Sequence, residues 1–292
     1  QDIKLIIPDS EKDRFNISPK EFERSITPKT RAAVLTHLGG HCIDMDPIVK
    51  IARSRKIKIV EDCSQAHGAT YKGKKVGTFT EIAAFSNGFS KTLAAGGVAG
   101  IVYTKKEELY WKARSLADRE KPFNKKNFNF RNTTDWLFPS HNFNSDEISC
   151  AIGTSVLPKL QNIIDKRHEI AKKIDSVLKE SKVVSPANLE LPNCSSSVFF
   201  HTVAVNIDKL KVSKVKFTSA LAAEGIAING DFRDITCEWK WITKHIREYK
   251  KTPNALNFRD RSFNILFHEQ YGDKEIQDII ASIRKVEKFY TK

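Results

Sequence analysis

The sequence has no long apolar run, and no window approaches the about 20 consecutive apolar residues that a membrane-spanning helix needs. Its start, Gln1-Asp2-Ile3-Lys4, has neither an initiator methionine nor the basic-then-apolar order of a secretory signal. Cysteine is scarce, with five widely spaced residues and no C-x-x-C pair. These absences argue against a membrane span, a disulfide framework and a metal site, and they favour a protein of the reducing cytoplasm.

Acidic residues are also few relative to basic ones, 35 against 49, which gives 49 − 35 = +14. The densest excess lies between Lys105 and Arg131, where nine basic residues face four acidic ones. No zinc-finger spacing, ribonucleoprotein aromatic motif or basic heptad accompanies this charge. We therefore predict no nucleic-acid binding and favour a solvated helix face and loop over a polyanion-binding surface.

The apolar pattern divides the chain in two. In the first half, short apolar runs alternate with helical segments, a pattern typical of an α/β layer on a mostly parallel sheet. After about Phe143 the pattern becomes long helices flanking a few strands. We predict a large domain over residues 1–145 and a smaller α+β domain over residues 146–292, entered through a helical run, Glu147–Lys179, that Pro158 kinks or breaks.

The remaining element predictions follow from the same periodicities. They are strands at Lys4–Pro8, Ala32–Leu38, Ile57–Val60, Ile82–Ser86, Gly100–Tyr103 and Val198–Val205, a hairpin at Gly68–Gly77, and helices at Met45–Arg55, Lys105–Leu116, Ser213–Glu224 and Asp273–Tyr290.

Two of these apolar strands end in residues that could carry chemistry. Asp62 ends one, with Gln65 just beyond it; Ser86 ends another, and Lys91 follows in a loop rich in serine and glycine. In open α/β sheets, ligands bind outside the carboxyl ends of the strands. A partly desolvated lysine can lose its proton and form an imine, and an aspartate can hold the pyridinium nitrogen of pyridoxal phosphate. Taken singly, Asp62 could be a helix cap and Lys91 a surface lysine.

Four motifs give the chain a specific resemblance. They are H-L-G-G-x-x-x-D-M-D from His37, I-V-E-D-C-S-Q-A-H-G-A from Ile59, F-S-N-G-F-S-K-T-L-A-A-G-G from Phe85, and H-N-F-N-S-D-E-I-S-C-A-I-G from His141. They resemble the DegT-type sugar aminotransferases, a branch of the fold-type I pyridoxal-phosphate enzymes. The resemblance runs from about Asn16 to the C-terminus, and it implies the fold-type I architecture with a large and a small domain.

The resemblance also implies roles for particular residues. Lys91 matches the lysine that binds the cofactor as an imine and later moves a proton. Asp62 matches the carboxylate at the pyridinium nitrogen, Gln65 the side chain at the phenolic oxygen, and Ser86 a phosphate ligand. Asn142 matches an asparagine that reaches the phosphate of the neighbouring subunit, which implies a homodimer with shared sites.

The activity implied is transfer of an amino group from an amino acid donor, glutamate or glutamine, to a keto-sugar nucleotide. A related sugar dehydratase is one alternative, but such enzymes carry histidine where Lys91 stands. A non-catalytic scaffold or regulatory subunit with the same fold is another. Arg233 is a candidate for a substrate anion, and for His67 we favour a structural role that supports the strand end.

One departure from the family pattern concerns the N-terminus. Family members usually carry a longer N-terminal segment, with a glycine turn opening a helix that cradles the phosphate. Helix N-termini bind phosphate through free N–H groups and the helix dipole, and no such turn precedes Gln1. We expect that the sequence is part of a longer chain, that a partner supplies the cradle, or that catalysis has been lost.

Overall fold

The computed structural model describes residues 3–129, 131–136, 140–232, 235–246 and 251–292. The helices are α1 (Pro19–Ser25), α2 (Met45–Ser54), α3 (Glu107–Ala117), α4 (Glu147–Val156), α5 (Leu160–Leu178), α6 (Lys214–Ala223), α7 (Pro253–Asp260) and α8 (Asp273–Tyr290). The strands are β1 (Ala32–Thr36), β2 (Lys58–Asp62), β3 (Thr70–Tyr71), β4 (Lys74–Lys75), β5 (Ile82–Ser86), β6 (Gly100–Thr104), β7 (Val184–Pro186), β8 (Cys194–Ser195), β9 (His201–Val205), β10 (Ile228–Asn229) and β11 (Ser262–Ile265). Among these helices, none combines the length and the apolarity that crossing a membrane requires.

The first half builds a sheet with the strand order β1-β2-β5-β6. Strands β1, β2 and β5 are parallel, and β6 runs antiparallel to β5. Helix α2 connects β1 to β2, as the alternation of strand and helix patterns predicted. The expectation of an α/β fold with a mostly parallel sheet is confirmed.

The two faces of this sheet are covered unequally. Leu35, Ile59 and Ala83 share one face and are buried in a cluster that also contains side chains from α1 and α2. On the opposite face, Val34 is 68% exposed and Val102 is 55% exposed. Parallel sheets usually bury both faces. The exposed face is therefore the one on which further protein could pack.

The second half has its own sheet and its own buried cluster. Its strands follow the order β10-β11-β9-β7, and every pair in it is antiparallel. Helices α5, α6 and α8 bury Ile174, Phe217 and Ile283 in the same apolar cluster. The predicted break at Pro158 is confirmed, because a short 3-10 turn, Leu157–Lys159, separates α4 from α5.

Two connections join the halves near the carboxyl ends of β1 and β2. The predicted hairpin is present as β3 and β4, and β8 from the second half pairs with β3. Farther along, Ser197 N–H donates to Gly40 O and Phe199 N–H donates to Gly39 O, both at 3.1 Å. A segment of the second half thus lies against the turn that follows β1.

One strand prediction is wrong, and a second places the start of its strand too early. Lys4–Pro8 makes a single bridge, at Leu5, because it runs beside residues 245 and 246 rather than beside a sheet strand. The strand predicted to start at Val198 starts at His201. Val198 has φ +47°, outside the extended region, and its neighbours donate to the glycine turn instead.

Candidate active site

Strands β2 and β5 are parallel neighbours that end in polar residues on one face of the sheet. Asp62 is the last residue of β2 and Ser86 the last of β5. Asp62 pairs with Ala84, and Ser86 lies two positions further on, so both side chains point to the same face. The sheet therefore places a carboxylate and a hydroxyl together, beyond the carboxyl ends of its strands.

The Asp62 carboxylate is held by donors on both oxygens. Its Oδ2 accepts a hydrogen bond from Thr36 Oγ1 at 3.1 Å. Its Oδ1 accepts from the Ser64 backbone N–H at 3.0 Å and from the Ser64 hydroxyl. The residue is half-buried. These bonds fix the carboxylate in one orientation and leave lone pairs that can face a cation.

The loop that carries Lys91 is shaped by Asn87, which is 3% exposed. Asn87 Nδ2 donates to Leu93 O at 2.8 Å, and its backbone carbonyl accepts from Ala95 N–H at 2.9 Å. The Lys91 N–H donates to Gly88 O at 2.9 Å. This closed loop holds Lys91 beside the end of β5. The motifs that carry the family resemblance indicated no role for Asn87 in shaping this loop.

The Lys91 amino group is half-buried and lies over an aromatic ring. Its Nζ is 4.9 Å from the centre of the Phe199 ring. Burial lowers the pKa of the Lys91 ammonium, and the negative charge of Asp62 opposes that shift. An amine with a lowered pKa is more often unprotonated near neutral pH than an exposed lysine is, and an unprotonated amine can act as a nucleophile or accept a proton.

Gln65 is oriented by the glycine turn after β1. Its Oε1 accepts a hydrogen bond from Gly39 N–H at 2.7 Å, while its Nε2 has no partner among the described residues. Gly40 has φ +83°, and a Cβ there would lie 2.6 Å from Ser197 Oγ and 3.0 Å from Gln65 O. Both the backbone conformation and the close approach require glycine. The turn thereby presents the Gln65 amide nitrogen as a free donor.

Phe199 belongs to residues 196–200, which we call the 196–200 segment. Ser197 Oγ donates to Gln65 O at 3.0 Å, so this segment touches the site at Gln65 as well as at Lys91. Val198 at its centre has a positive φ, which is rare and strained for a β-branched residue. No motif in the sequence indicated that this segment reaches the site.

Arg167 on α5 holds the 196–200 segment in its strained conformation. It is 5% exposed, and its Nε donates to Val198 O at 2.8 Å while its Nη2 donates to Phe199 O at 2.7 Å. Its guanidinium also lies 4.6 Å from the Phe267 ring centre. A planar group with several donors suits this double contact. Arg167 therefore fixes the position of Phe199 without touching the site itself.

Not every residue predicted from the sequence lies here. Asp62, Gln65, Ser86 and Lys91 lie in or just after the ends of β2 and β5, and the Ser86 hydroxyl makes no hydrogen bond within the described part of the chain. Asn142 is exposed, and its Oδ1 accepts from Asn144 N–H at 3.2 Å without contacting those four. Arg233 lies outside the described residues.

Glu61, His37 and Cys63 place potential metal-ligand atoms within 4.8 Å of one another. Glu61 already accepts hydrogen bonds from Gly77 N–H at 2.7 Å and from Phe79 and Thr80 N–H at 2.9 Å. His37 Nδ1 accepts from a backbone N–H, so its Nε2 carries the proton and donates to Glu61. Burial alone would raise the pKa of Glu61, but these hydrogen bonds bring it below its usual value. Glu61 and His37 therefore already have hydrogen-bond partners within the fold.

The groups left free at the strand ends fit pyridoxal phosphate. The Lys91 amine suits its aldehyde, the fixed Asp62 carboxylate suits a pyridinium nitrogen, and the free Gln65 amide donor suits a phenolate oxygen. The Ser86 hydroxyl is a free donor of the kind that phosphate oxygens accept.

Comparisons with known proteins agree with this geometry. The model of the "DegT/DnrJ/EryC1/StrS aminotransferase family" matches residues 3–284. The spore coat polysaccharide biosynthesis protein SpsC of Bacillus subtilis is 25% identical over 97% of this chain and 73% of its own length. GDP-perosamine synthase of Escherichia coli O157:H7 is 36% identical over 61% of this chain and 49% of its own. The solved aminotransferase of Psychrobacter cryohalolentis superposes with a TM-score of 0.88 and 23% identity, covering 98% of this chain and 76% of that one.

Proposed function

Because this chain belongs to the DegT/DnrJ/EryC1/StrS aminotransferase family, we propose that it is a pyridoxal-phosphate-dependent aminotransferase. It transfers an amino group from an amino acid to a keto-sugar nucleotide. The observation that carries the proposal is the half-buried Lys91 amine, placed over Phe199 and within the field of Asp62 where the strands end. The name of the GDP-perosamine synthase relative supports a nucleotide-linked sugar as substrate.

Pyridoxal phosphate, when bound, supplies an electron sink for the bonds that must be broken. In this proposal Asp62 faces the pyridine nitrogen, and the hydrogen bonds from Thr36 and Ser64 keep its carboxylate aimed there. Gln65 donates from Nε2 to the phenolic oxygen, because Gly39 occupies its Oε1. Ser86 donates its hydroxyl to the phosphate. These groups set the position of the ring relative to Lys91.

Lys91 Nζ holds and moves the proton. Because burial lowers the pKa of Lys91, its amine is more readily available to accept a proton than that of an exposed lysine, and the ammonium can return that proton later. The Phe199 face attracts the charged form of the side chain and so provides a resting place for the ammonium. A lysine at this position also favours transamination over the related sugar dehydration, since the dehydratases carry histidine there.

The finer parts of the proposal concern assembly. We propose a homodimer in which Asn142, exposed in the single chain, reaches the phosphate of the neighbouring subunit. The amino donor is glutamate or glutamine, and the protein acts in the cytoplasm. Residues 1–145 form the cofactor-binding domain and residues 146–292 the smaller one. The exposed sheet face at Val34 and Val102 is where the phosphate-cradling segment of longer family members would pack.

Lysine labelling tests the proposal. After incubation with pyridoxal phosphate, borohydride reduction and peptide mapping should place the cofactor on Lys91, and Lys91→Ala should abolish both the label and turnover. Lys105→Ala, which removes an exposed lysine, is the matched control and should change neither. A label on another lysine would refute the assignment of Lys91. Absence of any label from a dimer of a chain extended to family length would favour the non-catalytic scaffold.

A further inference from the structure

The turn that follows β1, residues 38–41, holds Gln65 at the candidate active site. Gly39 N–H donates to Gln65 Oε1 at 2.7 Å, and this bond is what leaves the Gln65 amide nitrogen free as a donor. Gly39 has φ +69° and Gly40 has φ +83°. Because two consecutive glycines allow many backbone conformations, contacts from outside must keep the turn in one of them. The direction of the Gln65 amide therefore depends on what holds this turn.

Each of the other backbone N–H and carbonyl groups of the turn also has a partner among the described residues. Inside the turn, Gly40 N–H donates to His37 O at 3.3 Å and His41 N–H donates to Leu38 O at 3.2 Å. The carbonyls of the two glycines accept from the 196–200 segment. Two groups remain, and they lie at the two ends of the turn. They are the Leu38 N–H at its start and the His41 carbonyl at its end.

The side chain of Asn16 binds both of these ends. Its Oδ1 accepts a hydrogen bond from Leu38 N–H at 3.0 Å, and its Nδ2 donates to His41 O at 2.8 Å. Only an amide side chain carries a carbonyl acceptor and an N–H donor on the same planar group. Asn16 is half-buried and lies 22 and 25 positions before its two partners. It therefore holds the start and the end of the turn together from outside.

The second half of the chain fixes the position of Asn16 itself. The ring of the preceding residue, Phe15, packs edge-to-face on Phe258 and on Phe200, with ring centres 4.7 Å and 5.8 Å away. Aromatic pairs in this arrangement contribute beyond the area they bury. Phe200 belongs to the 196–200 segment, which binds the carbonyls of the same turn. The glycine turn is therefore held from two sides.

We infer that Asn16 is a positioning residue for the candidate active site: it fixes the Gly39 N–H and, through it, the direction of the free Gln65 amide donor. The inference rests on the proposed function for the target of that donor, the phenolic oxygen of the cofactor. It adds the residue that keeps Gln65 aimed there. Asn16 itself makes no hydrogen bond to Asp62, Gln65, Ser86 or Lys91 within the described part of the chain.

The first test measures the mobility of Gln65 without cofactor. The protein is labelled with nitrogen-15 glutamine, and relaxation of the Gln65 side-chain amide is followed by NMR, its signal being the one that Q65L lacks. The amide should be rigid in the wild type and mobile in N16L, which removes both contacts with the turn. N16D keeps an acceptor for Leu38 N–H but has no donor for His41 O, so its Gln65 amide should be intermediate.

N254L is the matched control for N16L. Asn254 is also half-buried, and its Nδ2 donates to a backbone carbonyl of the same N-terminal region, Ser10 O, at 3.0 Å. The Gln65 amide should stay as rigid in N254L as in the wild type. An equal gain of mobility in N254L and N16L would refute the inference, because a general loosening would then explain both. If N16L does not fold, a rigid Gln65 amide in N16D refutes it.

The second test compares two ligands, pyridoxal phosphate and its deoxy analogue that lacks the phenolic oxygen. N16L should bind pyridoxal phosphate about tenfold more weakly than the wild type, the size of one hydrogen bond to a charged oxygen. It should bind the deoxy analogue as tightly as the wild type does. Q65L should show the same pattern, and N16L added to Q65L should cause little further loss, because both substitutions remove one interaction.

The two proposals can fail separately. A Gln65 amide that stays rigid in N16L would refute the positioning role of Asn16, whatever the cofactor does. If the amide becomes mobile but reduction labels no lysine of the wild type with pyridoxal phosphate, the positioning role stands and the proposed function falls. If the amide becomes mobile and N16L loses the same affinity for both ligands, Gln65 does not meet the phenolic oxygen, and that assignment is refuted.

Discussion

Glu61 and Asp62 are consecutive residues of β2, yet their surroundings differ completely. Glu61 is 0% exposed, and its two oxygens are saturated by His37, by three backbone N–H groups and by the Thr80 hydroxyl. Asp62 is half-buried on the other face of the strand, among groups with unused hydrogen-bonding capacity. Alternation along a strand is what separates the two environments.

The comparison teaches how to tell a supporting network from a binding site. The Glu61 oxygens and the His37 nitrogens all have hydrogen-bond partners, and such networks stabilise a fold and specify one arrangement. Around Asp62 the Gln65 amide nitrogen and the Ser86 hydroxyl have no partner among the described residues. Polar groups that have no protein partner at one strand edge are available to a ligand.

The largest effect is expected from Glu61→Gln. The amide cannot accept all the hydrogen bonds that the carboxylate accepts, and the variant should lose about 3–5 kcal/mol in urea unfolding, the usual result of breaking a buried charged network. Asp62→Asn is the matched control on the adjacent residue. It should lose less, about 0.5–1.5 kcal/mol, because the residue is half-buried and an amide oxygen can still accept the Ser64 hydrogen bonds, while losing most of its turnover. Equal losses of stability in the two variants would contradict the difference proposed between the surroundings of Glu61 and Asp62.

The pH dependence of stability provides a second way to distinguish the environment of Glu61 from that of Asp62. The folded pKa of Glu61 lies below the ordinary value of 4.5, so its contribution to stability is present above pH 4.5 and is lost as the pH falls through the folded pKa. The wild type should therefore lose stability on acidification below about pH 4.5. The free energy of unfolding of Glu61→Gln should fall less steeply with acidification than that of the wild type. An unchanged pH dependence would contradict the role given to the ionised Glu61 carboxylate.

A smaller effect is expected from Arg167→Lys. One ammonium cannot replace the two donors that reach Val198 O and Phe199 O, so the variant should lose about 1.5–3 kcal/mol. Without this contact, Phe199 should no longer hold the Lys91 amino group in place. The pH dependence of the rate of Lys91 acetylation, followed by mass spectrometry, should therefore shift. Arg284→Lys, at an exposed pair with Glu180, should cost less than about 1 kcal/mol. An unshifted Lys91 profile in Arg167→Lys would show that the 196–200 segment does not influence the amine.

The smallest effect compares two glycines with similar backbone conformations. Gly40 has φ +83° and Gly73 has φ +75°, but a Cβ at Gly73 meets nothing within 4 Å, whereas one at Gly40 would lie 2.6 Å from Ser197 Oγ. Both alanine variants carry the same backbone strain. Gly40→Ala should therefore cost about 1–2 kcal/mol more than Gly73→Ala, through overpacking. Equal urea midpoints for the two variants would mean that the 196–200 segment can move to make room for the added Cβ without a cost in stability.

Much of the fold could be predicted from local patterns. Apolar strands ending at Asp62 and Ser86, the helix Asp273–Tyr290 and the break at Pro158 follow from periodicity and from the missing N–H of proline. Short strands such as β7 and β11 were not predicted, because two to four residues give too little periodicity. Val198 was assigned to a strand because β-branched residues favour strands, and only the contacts of its neighbours with Gly39 and Gly40 overrule that preference.

The sequence by itself singled out Asp62, Gln65, Ser86 and Lys91, because all four lie within or next to elements that local patterns specify. The tertiary structure decided what surrounds them. Arg167 acts on residues more than 30 positions away, and Phe199 meets Lys91 from the other half of the chain. A periodic pattern in the sequence determines on which face of a strand or helix a residue lies. Which residues contact it there is decided only when the elements pack against one another.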